Sequence, residues 1–175
     1  LRILWRLFPA VVFIAGIWWV VTLDDSGTKA QSSSTQRSSS QATPNLTPVI
    51  QYPGILYNRT GRAGVAPLNL VTREGADYYV KLVDITNGKD AVGIYVFGGQ
   101  GFEVLVPLGS YEMRYASGKT WYGLANLFGP GTRYAKAHDI FNFRATPTGY
   151  AGYTVELILQ SKGNLRTTSI RPEQF

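Results

Sequence analysis

The sequence predicts an all-β domain over residues 49–175, a β-sandwich of eight or nine strands, preceded by one N-terminal transmembrane helix and a disordered linker. Three observations carry this reading. Apolar side chains after residue 49 recur with a period of two. No window after residue 25 shows the i, i+3, i+4, i+7 spacing of an amphipathic helix. Gly, Pro and Asn punctuate the chain at intervals of about 8–12 residues, as strand-rich domains require.

The composition agrees. Of 175 residues, 45% are hydrophobic, 13% aromatic and 16% charged, with no cysteine and one histidine. A disordered chain is excluded for the bulk of the molecule, and so is a disulfide scaffold. A zinc site built on cysteine thiolates lacks its ligands. No cofactor and no metal is expected. The 127 residues from Val49 to Phe175 are enough for one hydrophobic core.

Residues 1–23 read as the anchor. From Leu7 to Leu23 the only polar side chain is Thr22. With Ile3, Leu4 and Trp5 the run reaches about 20 residues, enough to span a hydrocarbon layer of roughly 30 Å. Trp5 near one end and Trp18 and Trp19 near the other suit the two interfaces. Arg2 and Arg6 before the run and Asp24 and Asp25 after it put the N-terminus in the cytoplasm. A cleaved signal peptide is the alternative. Its small-x-small cleavage pattern is missing where Trp-Trp-Val-Val-Thr-Leu ends the run, so a retained signal-anchor is expected.

Residues 24–48 turn abruptly to Ser, Thr, Gln and Ala. Such a stretch buries too little apolar surface to offset its ordering entropy and reads as a flexible linker. The β domain then follows. Gly54–Tyr57 and Leu68–Thr72 are its first strands. Asn87-Gly88 separates Tyr78–Ile85 from Val92–Phe97 as a hairpin turn. Gly98-Gly99-Gln100-Gly101 is read as closing the next hairpin onto Phe102–Val106, and Pro107-Leu108-Gly109 turns into Tyr111–Ala116. Phe141 and Phe143 mark a further strand, Tyr153 to Leu159 another. Lys162-Gly163-Asn164 turns into Leu165–Ile170. Tyr111, Met113, Val155 and Leu157 are expected at the centre of the core.

The stretch Tyr79 to Gly118, with its Asn-Gly turn and the run Val106-Pro107-Leu108-Gly109-Ser110-Tyr111, resembles prealbumin-like carboxypeptidase-regulatory modules and related Ig-like sandwiches. The segment Trp121-Tyr122-Gly123, Leu127-Phe128-Gly129-Pro130 and Thr132 resembles bacterial membrane-anchored proteins of uncharacterised activity. That second resemblance implies a bacterial envelope location: a single-pass protein of the inner membrane, its β domain periplasmic or extracellular. It implies no activity.

The motifs with chemical potential have plain structural readings. Gly118-Lys119-Thr120 lacks the upstream glycine of a phosphate-binding loop, because Met113 holds that position. His138-Asp139 has no second histidine for a metal and no nucleophile elbow to join, so a solvated or structurally bonded histidine is expected. Nucleic acid is not the expected partner. The β domain has 13 basic and 9 acidic residues, a net +4 spread along the chain rather than gathered in runs.

The segment Ser117–Lys136 stands out. Read as one irregular loop, it sets Trp121, Tyr122, Phe128 and Tyr134 among glycines, with Lys119, Arg133 and Lys136 nearby. Long irregular loops in small domains usually carry function. The competing reading makes the loop a cover over one open end of the sandwich. If the domain binds something, Trp121, Tyr122, Phe128, Tyr134, Lys119 and Arg133 are the candidates. The function expected is an interaction module for an envelope protein. A glycan-binding module is the alternative, and a hydrolase comes third.

Overall fold

Alternating side chains allow a strand to bury one face, and the arrangement of the buried faces defines this molecule. A computed structural model of the chain describes residues 45–157 and 165–175. The predicted anchor, the linker up to residue 44 and the predicted Lys162-Gly163-Asn164 turn lie outside them. Among the described residues no helix is long and apolar enough to cross a membrane. Thr43–Phe175 is one compact unit.

The described residues hold eleven strands: β1 (Gly54–Asn58), β2 (Ala66–Thr72), β3 (Asp77–Asp84), β4 (Asp90–Val96), β5 (Gly101–Val106), β6 (Gly109–Gly118), β7 (Arg133–Phe143), β8 (Ala145–Thr146), β9 (Gly149–Tyr150), β10 (Tyr153–Leu157) and β11 (Thr167–Ser169). The excess over eight or nine comes from β8 and β9, a two-residue ribbon too short to leave a periodic signature. Six strands form one sheet in the order β1-β4-β3-β6-β7-β11, and three form a second in the order β10-β2-β5. Every pair in the larger sheet is antiparallel, whereas β10 runs parallel to β2. The molecule is therefore all-β and sandwich-like.

The main core lies between the sheets. Tyr78, Val80 and Leu82 of β3, Ile94 of β4 and Tyr111, Met113 and Tyr115 of β6 meet Leu68 and Leu70 of β2, Val106 of β5 and Val155 and Leu157 of β10. The four residues expected at its centre, Tyr111, Met113, Val155 and Leu157, are all buried.

One expected turn is found and another differs from expectation. Asn87-Gly88 does lie in the β3–β4 hairpin, but the turn is longer than a two-residue Asn-Gly turn. Asp84 N–H donates to the Lys89 carbonyl at 2.9 Å, and Gly88 N–H closes a wider turn onto the Asp84 carbonyl at 2.8 Å. Gly88 takes the left-handed conformation at φ +68°, which favours glycine. The Gly98–Gly101 segment closes no hairpin. It carries the chain from β4 in the larger sheet to β5 in the smaller one. Thr72, at the end of β2, captures it: the Thr72 hydroxyl lies 2.7 Å from the Phe97 carbonyl and 2.9 Å from the Gln100 carbonyl. Period-two alternation cannot reveal such a crossing, because strands in either sheet alternate alike.

Leu157 is fully buried at the end of β10, against residues of both sheets. Its truncation to alanine is expected to cost about 2–5 kcal/mol in urea unfolding. A cost under about 1 kcal/mol would remove β10 from the core.

Candidate functional site

The segment singled out in the sequence begins where β6 and β7 cease to pair. Ser117 still faces Arg133 and Ala116 faces Tyr134 across the ladder. The irregular part is therefore 119–132, shorter than the predicted 117–136, and Tyr134 and Lys136 are strand residues. Within it, Tyr122 N–H donates to the Leu127 carbonyl and Leu127 N–H to the Gly123 carbonyl, both at 2.7 Å. A short 3-10 turn at Gly129–Gly131 follows. The Thr132 hydroxyl lies 2.6 Å from the Gly129 carbonyl and accepts from Phe128 N–H at 3.1 Å. Leu127 has φ +48°, a conformation that costs a side-chain-bearing residue about 1–2 kcal/mol. Its burial offsets that cost.

This hydrogen-bonded loop folds over the outer face of the six-stranded sheet rather than over an open end of the sandwich. The reason lies in β3 and β4, whose outward residues Tyr79 and Tyr95 are large and need cover. Trp121 is 5% exposed, its ring 5.1 Å from those of Tyr95 and Phe128 and 5.7 Å from that of Tyr79. Phe128 and Leu127 are buried beside it. Gly118 permits the approach, since a Cβ there would lie 2.3 Å from the Phe128 Cβ. Val49 N–H donates to the Trp121 carbonyl at 2.8 Å, so the lead segment before β1 also lies along the loop.

The six candidate residues thus separate. Trp121 and Phe128 are in this second core, and half-buried Tyr134 packs against it with its ring 5.1 Å from Phe175. Exposed Lys119 and Arg133 and half-buried Tyr122 line a cavity of about 300 Å³ with Ser117, Thr120 and Gly131. Trp121 and Tyr122 form no exposed coplanar pair of the kind that stacks on a sugar ring. No helix follows Gly118-Lys119-Thr120.

The remainder of the outer face is charged. Buried Lys81 places Nζ 3.2 Å from Asp90 and 4.4 Å above the Phe175 ring. Glu112 accepts from Arg114 Nε at 2.6 Å and pairs with Lys136, while Arg114 also donates to the Gln174 carbonyl at 2.7 Å. Burial raises the Glu112 pKa, but the hydrogen bonds and charges of Lys136 and Arg114 together hold it below the ordinary glutamate value. Burial pushes the Tyr79 and Tyr95 phenols well above the ordinary range. Hydrogen bonds to Tyr57 at 2.7 Å and from Tyr95 to Asp77 at 2.8 Å add to the shift.

His138 is exposed and hydrogen-bonded to Thr168 on β11. It does not line the cavity at the loop. No group of three His, Cys, Asp or Glu side chains suited to a metal occurs among the described residues.

Sequence reasoning passed over two features. Val49, Ile50, Tyr52 and Ile55 are exposed around the start of β1, at 86% for Ile50 and 74% for Tyr52. The density of apolar residues in Val49-Ile50-Gln51-Tyr52-Pro53 was the available signal. The other is a second cavity of about 430 Å³ between β6, β7 and residues 169–172. Continued alternation past Tyr115 points Ser117 toward it, but nothing local announces the far wall. The chain matches no protein-family model, and neither curated proteins nor solved structures give a match.

Trp121→Ala is expected to lower stability by about 3–5 kcal/mol, because the emptied site lies among the three buried rings of Tyr79, Tyr95 and Phe128. Thermal unfolding of that variant checks it; an unchanged midpoint would take Trp121 out of the second core. Glu112 should also set part of the acid sensitivity. Its folded-state pKa lies below its unfolded value near 4.5, so its stabilising contribution is full above that pH. The contribution is lost as pH falls through the lowered folded value. Glu112→Gln should flatten the decline of stability below about pH 4.5 in acid titrations.

Proposed function

We propose that this protein is a single-pass, membrane-tethered interaction module whose extracytoplasmic β domain binds a protein partner of the bacterial envelope. The facing sheets support an Ig-like or prealbumin-like sandwich as its framework, with the parallel β10–β2 pair as a departure from an all-antiparallel pattern. The uncharged run at 7–23 and its flanking charges support the anchor.

One observation carries the protein-partner reading. The exposed apolar series Val49, Ile50, Tyr52 and Ile55 is joined by a backbone hydrogen bond to the loop that bears Lys119 and Tyr122. Aliphatic and tyrosyl side chains held in water beside a basic rim are the composition of a protein-contact patch. In this reading Trp121, Phe128 and Tyr134 shape the surface from beneath. Tyr122, Lys119 and Arg133 meet the partner, the two cations selecting an acidic complement.

The double variant Ile50→Asp, Tyr52→Ser tests the reading. A membrane-impermeant crosslinker applied to intact cells expressing the full chain should capture a discrete partner with the parent and lose it with the variant. The melting temperature should stay nearly unchanged, since exposed substitutions cost within about 0.5 kcal/mol. Capture of the same partner by the variant, or no capture from outside the cell, would overturn it.

A further inference from the structure

The cavity between β6, β7 and residues 169–172 is unlike the rest of the surface. Its walls are mainly apolar, with Tyr115, Ala135, Ile170 and Pro172 among them, and its volume of about 430 Å³ lies within the range of small-molecule pockets. Polar side chains also reach the lining, Ser117, Thr132, Ser169 and Arg171 among them, and two features bear most on a ligand. The Tyr115 hydroxyl is buried and, among the described residues, has no partner in good hydrogen-bond geometry. A buried orphan hydroxyl is costly, and native interiors rarely keep one without a use. Among the described residues, Thr167 is the one side chain that approaches it as a hydrogen-bonding neighbour, short of full hydrogen-bond geometry. Its effect is smaller than that of burial, which raises the phenol pKa and keeps the group a donor.

The second feature is Arg133. It stands where the larger and smaller cavities meet, since both include Ser117 and Arg133 in their walls. No carboxylate pairs with it among the described residues. Ser117, opposite it across the β6–β7 ladder, is itself buried. A mainly apolar chamber, a phenol donor with only Thr167 near it, a serine hydroxyl and a guanidinium without a carboxylate partner match one ligand chemistry. The body must be apolar and the head a single anion able to accept several hydrogen bonds. The fork of a guanidinium fits a carboxylate with two parallel hydrogen bonds.

We propose that this cavity binds a small apolar carboxylate, its carboxylate held by Arg133 and Ser117 at the mouth and its body lying against Tyr115, Ala135, Ile170 and Pro172. The site shares Arg133 with the proposed protein-contact surface, but its evidence is the cavity and not that patch, and binding of a small carboxylate is read without any protein partner. Ligand entry would give the Tyr115 hydroxyl a well-aligned acceptor, either a carboxylate oxygen or a polar atom of the body.

The test uses the full chain in lipid nanodiscs, with empty nanodiscs subtracted, and ligand-observed NMR titrations of benzoate, 1-naphthoate and octanoate. At least one should bind saturably, and its alcohol counterpart should bind far more weakly. Arg133→Gln should weaken that carboxylate about tenfold or more. Tyr115→Phe should weaken it severalfold while leaving the ligand-free melting temperature equal or higher, because it deletes a buried unpaired hydroxyl. Absence of saturable binding by all three up to about 10 mM would overturn the proposal. So would binding that both variants leave intact, or alcohol binding as tight as the carboxylate's.

Discussion

The packing of the Trp121 ring, tilted against Tyr79 and Tyr95, is the contact on which the rest of this structure depends. A sheet strand normally buries one face and offers the other to water, but the middle residues of β3 and β4 are buried on both. The inner face is covered by the smaller sheet. The outer face carries two tyrosine rings, and leaving them wet would forfeit roughly 2–3 kcal/mol of burial each. A cover is therefore required, and the 119–132 loop provides it. This explains why a segment so rich in glycine is also well ordered by internal hydrogen bonds, and why Leu127 tolerates a left-handed backbone.

The same requirement governs the charges. With the aromatic cover occupying one half of the outer face, the other half is left for Lys81, Asp90, Glu112, Arg114 and Lys136. Lys81 is buried, so its ammonium needs both Asp90 and the face of the Phe175 ring to offset lost hydration. Glu112 bonds two cations at once, and Arg114 uses a remaining donor to hold the Gln174 carbonyl. The 172–175 segment is thereby tied down over the sheet, with Phe175 against Tyr79 and Tyr134. Packing and electrostatics here form one structure.

A consequence for function follows. Residues that would dominate a binding surface by type, a tryptophan and a phenylalanine, are consumed as cover. The chemistry left accessible is of two sorts: the apolar lead segment at Val49–Ile55, and the cavities that share Ser117 and Arg133. Arg133 sits at the end of β7, where pairing with Ser117 fixes its position, yet its side chain reaches solvent. A cation held on a strand end beside a mainly apolar cavity is better placed for recognition than one on a mobile loop.

Alternation in the sequence was enough to determine the all-β class, most strands and the central residues Tyr111, Met113, Val155 and Leu157, because the period of a strand is a local property of the backbone. It also marked 117–136 as the unusual connection, since aromatic density beside glycine is visible without a fold. Tertiary structure alone decided which sheet each strand joins. Thr72 draws the Gly98–Gly101 segment across to β5, and no residue in that segment encodes its partner. It decided, too, that Trp121 faces inward while Lys119 and Arg133 face outward. Ring burial depends on whether another surface needs covering, and that surface, Tyr79 and Tyr95, lies some 25 to 40 residues earlier in the chain. The Tyr115 cavity has walls from three separate strands and segments, so its existence is a fact of assembly and not of any stretch of sequence.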